Sequence, residues 1–126
     1  MNSKQASIRI KRVYEDPEEI DGRRILVDRL WARGLSKEKA KVDVWIKEIA
    51  PSTELRRWYG HDPHKWAEFK NRYIAELEAS PENVETILEE VQADIVTFLY
   101  SSKEEQLNNA VALKEYIESI IDGKAV

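Results

Sequence analysis

The stretch DIVTFLY, residues 94–100, decides how the rest of the chain is read. It is apolar almost throughout and rich in β-branched and aromatic residues, as a central strand covered on both faces would be. It runs directly into SSKEEQ, residues 101–106. There Ser102 and Glu105 have the spacing of a capping box, which predicts that a helix starts at once. That helix would carry Leu107, Ala110, Val111, Leu113, Ile117, Ile120 and Ile121 on its apolar face and stop at Gly123. A buried strand feeding a helix is half of a βαβ unit.

Working upstream, Ser80-Pro81 is a helix-start signal, and Val84, Ile87, Leu88 and Val91 recur at helical spacing. Asp62-Pro63 gives a second start, followed by Trp66, Phe69, Tyr73 and Leu77 on one face. Ser52 is placed to cap a short helix through Trp58-Tyr59, closed by Gly60. Three further strands are expected: SIRIKRV (7–13), which alternates; RILVD (24–28), which is fully apolar in its centre; and VDVWIKEIA (42–50), ended by Pro51. EDPEEIDG (15–22) reads as a loop, and ARGLSKEKAK (32–41) as a loop with one helical turn from Ser36. The result is an α/β fold: a small three-layer sandwich on a mostly parallel sheet of about four strands. Its 126 residues are expected to form one domain, 1–126, with 1–6 a loose polar tail.

Bulk composition narrows the chemistry. The chain has no cysteine, which removes disulfides, thiolate nucleophiles and cysteine-based metal centres. No apolar run approaches the length of a membrane helix, so no membrane partner and a cytoplasmic location are expected. Net charge is −4, but residues 1–75 hold 17 Lys and Arg against 12 Asp and Glu, while 76–126 hold 3 against 12. A basic half beside an acidic one suits an anionic ligand on one side. The Glu-rich late helices equally fit simple solvated faces.

In open α/β sheets, ligands bind beyond the carboxyl ends of the strands. Three stretches fall there: Asp28-Arg29 with Arg33, Ser101-Ser102-Lys103, and Lys11-Arg12. The guanidinium fork suits phosphate or carboxylate. The Ser101-Ser102-Lys103 stretch offers hydroxyls and an ammonium at an expected helix N-terminus, whose first amides lack partners. The competing readings are that Asp28 pairs with an arginine inside the fold, that Trp31 is core and that Ser102 only caps. His61 and His64 are three apart beside Asp62, but no fourth ligand is evident and no metal is expected. His61 is instead a candidate proton donor or anion contact. Asn108-Asn109, mediocre helix formers side by side, invite a role in the same cleft. The four tryptophans, 31, 45, 58 and 66, are assigned mostly to the core. No Gly-rich phosphate loop or dinucleotide fingerprint is present, so no cofactor is expected. A serine–histidine dyad of Ser101 or Ser102 with His61 is conceivable, but spacing alone gives it no geometry.

The blocks IRIKRVYE, DG-R-LVDRLW-RG, WIKEIAPSTELR-WYGHDP and LYSSKEEQLNNAVALKEYI, in that order, resemble the YeaO-like family, a prokaryotic domain-of-unknown-function family. The likeness runs from residue 8 to about residue 118 and implies a compact α/β domain without implying an activity. It also exposes departures. The family usually has proline where this chain has Ala32, and often histidine before the paired asparagines where this chain has Leu107. The wider group often carries a Cys-His-Arg-like cluster near that segment, so a cysteine phosphatase or sulfurtransferase reaction is unsupported here.

The expectation is therefore a phosphate-bearing or other anionic small molecule held by Arg29, Arg33, His61, Ser101, Ser102, Lys103, Asn108 and Asn109. Catalytic residues are not assigned and enzymatic turnover is left open. The rival expectations are a nucleic-acid-binding or regulatory module, which a pI near 5.3 disfavours, and a protein-interaction domain without a small ligand.

Overall fold

A computed structural model describes residues 7–93 and 95–123. The expected tail, 1–6, lies outside the described residues. Four strands, β1 (Ser7–Arg12), β2 (Arg23–Leu26), β3 (Val44–Trp45) and β4 (Ile95–Tyr100), form one sheet in the order β1-β4-β2-β3. Every pairing is parallel. β4 is central, as its apolar sequence requires, and five of its six residues are buried. In register, Lys11, Leu99, Leu26 and Trp45 stand side by side across the sheet. Among the described residues five α-helices accompany it: α1 (Lys37–Ala40), α2 (Thr53–Tyr59), α3 (Trp66–Glu78), α4 (Pro81–Glu90) and α5 (Asn109–Ile121).

Period-2 alternation sends β4 side chains to two cores. Val96, Phe98 and Tyr100 join Ile25, Val27 and the apolar faces of α2 to α5 in the larger core. Leu99 points the other way and meets Leu26, Val13, Ala32 and Ala40, with Trp31, Leu35 and Val42 packed around them. This second face is closed by the 27–43 connection and α1. It also holds a buried charge cluster. Asp21 is fully buried and accepts from Arg24 Nη1 at 2.6 Å, Lys11 Nζ at 3.1 Å and the Glu18 amide at 2.9 Å. Arg24 also donates to the carbonyls of Ala40 (2.7 Å) and Lys41 (3.0 Å), the C-terminus of α1. Burial would raise the Asp21 carboxyl, but the Glu18 amide and the two cations outweigh it and hold it below its usual range.

Three expectations need correcting. The helix after β4 does not begin at Ser102. Residues 101–108 are an irregular loop, and α5 is capped by Asn108, whose side chain accepts from the Val111 amide at 3.1 Å. The third strand shrinks to Val44–Trp45, because Lys47–Ile49 turns into a 3-10 segment that carries the chain toward α2. The tryptophans are core only in part: Trp58 and Trp66 pack half-buried against the larger core and Trp31 against the smaller, while Trp45 is exposed at 37%. Their indoles border the cores or stack under cations, as Trp58 does beneath Arg72 and Lys65.

Candidate functional site: a basic cleft at the carboxyl edge of the sheet

Where the strands end, the connections part. Those leaving β1 and β2 turn toward the smaller core, bringing Val13 and residues 31–42 there. Those leaving β3 and β4 turn toward the larger core, bringing Ile46, Ile49, Leu55 and later α5. β4 lies between β1 and β2, so a crevice must open along its end. This is the topological switch point at which open α/β sheets hold ligands. The structure has a cleft of about 830 Å³ there.

Asp28 pins the floor. One carboxylate oxygen accepts from the amide and hydroxyl of Ser101 at 2.9 and 2.8 Å, and the other accepts from Asn109 Nδ2 at 3.1 Å. Asn109 Nδ2 also reaches the Val27 carbonyl, and the Asp28 carbonyl accepts from the Trp45 indole at 2.8 Å. One residue thus ties the ends of β2, β3 and β4 to the start of α5. The expected alternative, an Asp28–arginine pair, does not form. Asn108, 1% exposed, caps α5 and donates to the Glu104 carbonyl at 2.8 Å. Ser102 Oγ accepts the Glu104 amide at 2.9 Å, so it caps a turn and not a helix. The expected Ser102–Glu105 box does not form: Glu104 instead reaches forward and accepts the amides of Gln106 and Leu107 at 3.0 and 3.1 Å. Those two amides hold its carboxyl below the ordinary glutamate range.

Around this floor stand the cations. Arg12 Nε donates to the Ser102 carbonyl at 2.9 Å, and its guanidinium lies 4.7 Å from the Tyr14 ring centre. Tyr14 in turn donates to the Arg33 carbonyl at 2.8 Å. On the opposite side Arg29 reaches the carbonyls of Ala50 (3.2 Å) and Pro51 (3.3 Å), just before α2. Its buried Nε has no partner among the described residues. α2 starts on Ser52, whose hydroxyl accepts the Leu55 amide and donates to Glu76 at 2.6 Å. It ends on Gly60 in the left-handed region. The helix is anchored by Tyr59, whose ring stacks on Phe69 at 4.3 Å and whose hydroxyl donates to the Leu107 carbonyl at 2.7 Å. Burial, then Glu104 and Asp62, push that phenol up, which keeps it a donor. This anchoring sets Arg56 and Arg57, both exposed, along the cleft. His61 follows in the left-handed region (φ 59°), exposed, with its ring 5.8 Å from that of Tyr59.

All eight residues singled out from the sequence, Arg29, Arg33, His61, Ser101, Ser102, Lys103, Asn108 and Asn109, line this one cleft. Their parts differ. Asn108 and Asn109 are spent on building the loop and the floor, and Ser101 and Ser102 give their hydroxyls to Asp28 and to Glu104, so neither serine is paired with His61. Arg56, Arg57 and Tyr14 escaped the sequence reading, since paired arginines on a short helix look like any solvated face. Among the described residues, Arg33, Arg56, Arg57 and Lys103 form no ion pair, and no cluster of three His, Asp or Glu side chains is placed to hold a metal. Among the described residues of the wall, Asp28 is the one carboxylate against six Lys and Arg. No helix among the described residues is long and apolar enough to cross a membrane.

The family model described as the inactive DUF488-N3 subclade matches residues 7–125. The Escherichia coli protein YeaO, described as uncharacterised, is 40% identical over 114 residues, covering 90% of this chain and 99% of that protein. A Mycobacterium tuberculosis protein, Rv3073c, likewise described as uncharacterised, is 47% identical over 77 residues, 61% of this chain and 65% of its own. No solved structure matches. With the family model spanning nearly all of the chain, the protein belongs to the YeaO-like family, the inactive DUF488-N3 subclade.

Proposed function

We propose that the protein binds a phosphate-bearing small anion in the carboxyl-edge cleft and holds it without turning it over. The observation that carries this reading is the imbalance of the wall: six Lys and Arg face one carboxylate, and that carboxylate is already taken up by Ser101 and Asn109. A cleft lined by one sign of charge focuses the field and concentrates a counter-ion. Guanidinium groups add paired donors matched to phosphate oxygens. The Nε of Arg29, without a partner among the described residues, supports the reading as a donor held on that side. The absence of turnover is supported by the description of the family as inactive. It is also supported by the cysteine-free sequence and by the two cleft serines, whose hydroxyls are committed to Asp28 and Glu104.

Titration calorimetry tests this with inorganic phosphate and sulfate at constant ionic strength, on the wild type and on Arg56→Ala/Arg57→Ala. The wild type is expected to bind and the variant to bind at least tenfold more weakly while keeping its fold. Equal heats for both proteins, or none for the wild type, contradict the proposal.

A further inference from the structure

Resting on that reading, we infer that the ligand is a small molecule carrying two anionic groups at opposite ends of an uncharged, hydroxyl-bearing body. The cations of the cleft fall into two sets that the fold keeps apart. One set belongs to the β1 side: Arg12, bonded to the Ser102 carbonyl, with Lys103 next in the chain and Arg33 tied through its carbonyl to Tyr14. The other belongs to the β3 and α2 side: Arg29, bonded to the carbonyls of Ala50 and Pro51, with Arg56 and Arg57 on the helix that follows. β1 and β2 are separated by β4. At about 4.8 Å between neighbouring strands, the ends of β1 and β2, which launch Arg12 and Arg29, lie roughly 10 Å apart.

Between them lies the Asp28 floor, with the Ser101 hydroxyl and the Asn109 side chain. The Asp28 carboxylate repels a third negative charge, and Ser101 and Asn109 fill three of its roughly four acceptor positions, which leaves one for a ligand hydroxyl. That disfavours a nucleic-acid strand, which carries one charge at every step, and suits a polyol or sugar with anionic ends. Pyrophosphate is too short, because its two phosphorus atoms share one bridging oxygen. A cleft of about 830 Å³ holds a body of metabolite size.

Four probes test the inference by calorimetry at fixed ionic strength: fructose 6-phosphate, fructose 1,6-bisphosphate, pyrophosphate and a short oligothymidylate. They are applied to the wild type, to Arg33→Ala/Lys103→Ala and to Arg56→Ala/Arg57→Ala. All four substituted side chains are exposed, so both variants are expected to fold. Once one phosphate is seated, the second binds as an intramolecular event. The bisphosphate is therefore expected to bind the wild type at least about tenfold more tightly than the monophosphate or pyrophosphate. Either double variant is expected to reduce it to the monophosphate level. Bisphosphate and monophosphate binding alike to the wild type overturns the two-ended ligand and leaves phosphate binding standing. Sugar phosphates that fail to bind while the oligonucleotide binds overturn both in favour of a nucleic acid, and no binding by any probe overturns both outright.

Discussion

Asp21→Asn isolates the charge cluster beneath the sheet from the cleft above its edge. Asp21 is fully buried, and its main partners, Arg24 and Lys11, expose 4% and 10% of their side chains. Neutralising the carboxylate leaves two cations facing each other with little water to replace it. Removing one partner of a buried pair costs about 3–5 kcal/mol. The lower end applies here, since Arg24 keeps its bonds to the Ala40 and Lys41 carbonyls and Lys11 keeps Glu18 at 2.8 Å. Urea denaturation with unchanged m-value reads the loss directly. Phosphate affinity should be preserved, because neither Asp21 nor Arg24 lines the cleft. A loss below about 1 kcal/mol would refute the claim that this cluster is held by charge pairing.

Acid should act on the same group. The folded-state carboxyl of Asp21 lies below its ordinary value of 3.8. Its contribution is thus fully present above that value and fades as pH falls through the lower, folded one. The difference in stability between wild type and Asp21→Asn is expected to be constant from neutral pH down to about pH 5 and to shrink in stronger acid. A difference that grows on acidification would reverse the sign of the argument. Asn108→Ala should cost about 1–2 kcal/mol by uncapping α5 and freeing the Glu104 carbonyl, read as a lowered midpoint. Gly22→Ala should be more damaging than a usual Gly→Ala change. Gly22 has φ 63°, and an added Cβ would sit 2.2 Å from the Ile95 carbonyl oxygen in the central strand. Wild-type stability in that variant would mean the 13–22 crossover packs differently. Asp28→Ala should weaken the fold by about 2–4 kcal/mol, as a carboxylate with three side-chain and main-chain donors is lost.

What could be read in advance followed from local pattern and from one rule about sheets. The apolar run 95–100 reads as a central strand, and the carboxyl-edge rule points to residues 28–33 and 101–103. The α5 start was misplaced because two capping patterns compete within eight residues. Ser102 and Glu105 have the right spacing, yet Tyr59 closing on the Leu107 carbonyl and Asn108 packing at 1% exposure favour the later start. Such a contact, 48 residues apart in sequence, has no local signature. Asp28 is similar. Its partners Ser101 and Asn109 are 73 and 81 residues away, and they meet only because β4 inserts beside β2. Arg56 and Arg57 acquire meaning only once Ser52, Tyr59 and Phe69 orient α2 over the crevice.

Whether the carboxyl-edge cleft holds an anion can be read from the melting temperature of the wild type against phosphate concentration, with sodium chloride holding ionic strength fixed. A ligand at about 100 times its dissociation constant adds about 2.7 kcal/mol. For a chain of this size that is an upward shift of roughly 10 °C. This rise is expected to follow a single-site curve and to be largely abolished in Arg56→Ala/Arg57→Ala. A midpoint that ignores phosphate, or that rises equally in that variant, would contradict anion binding in the cleft.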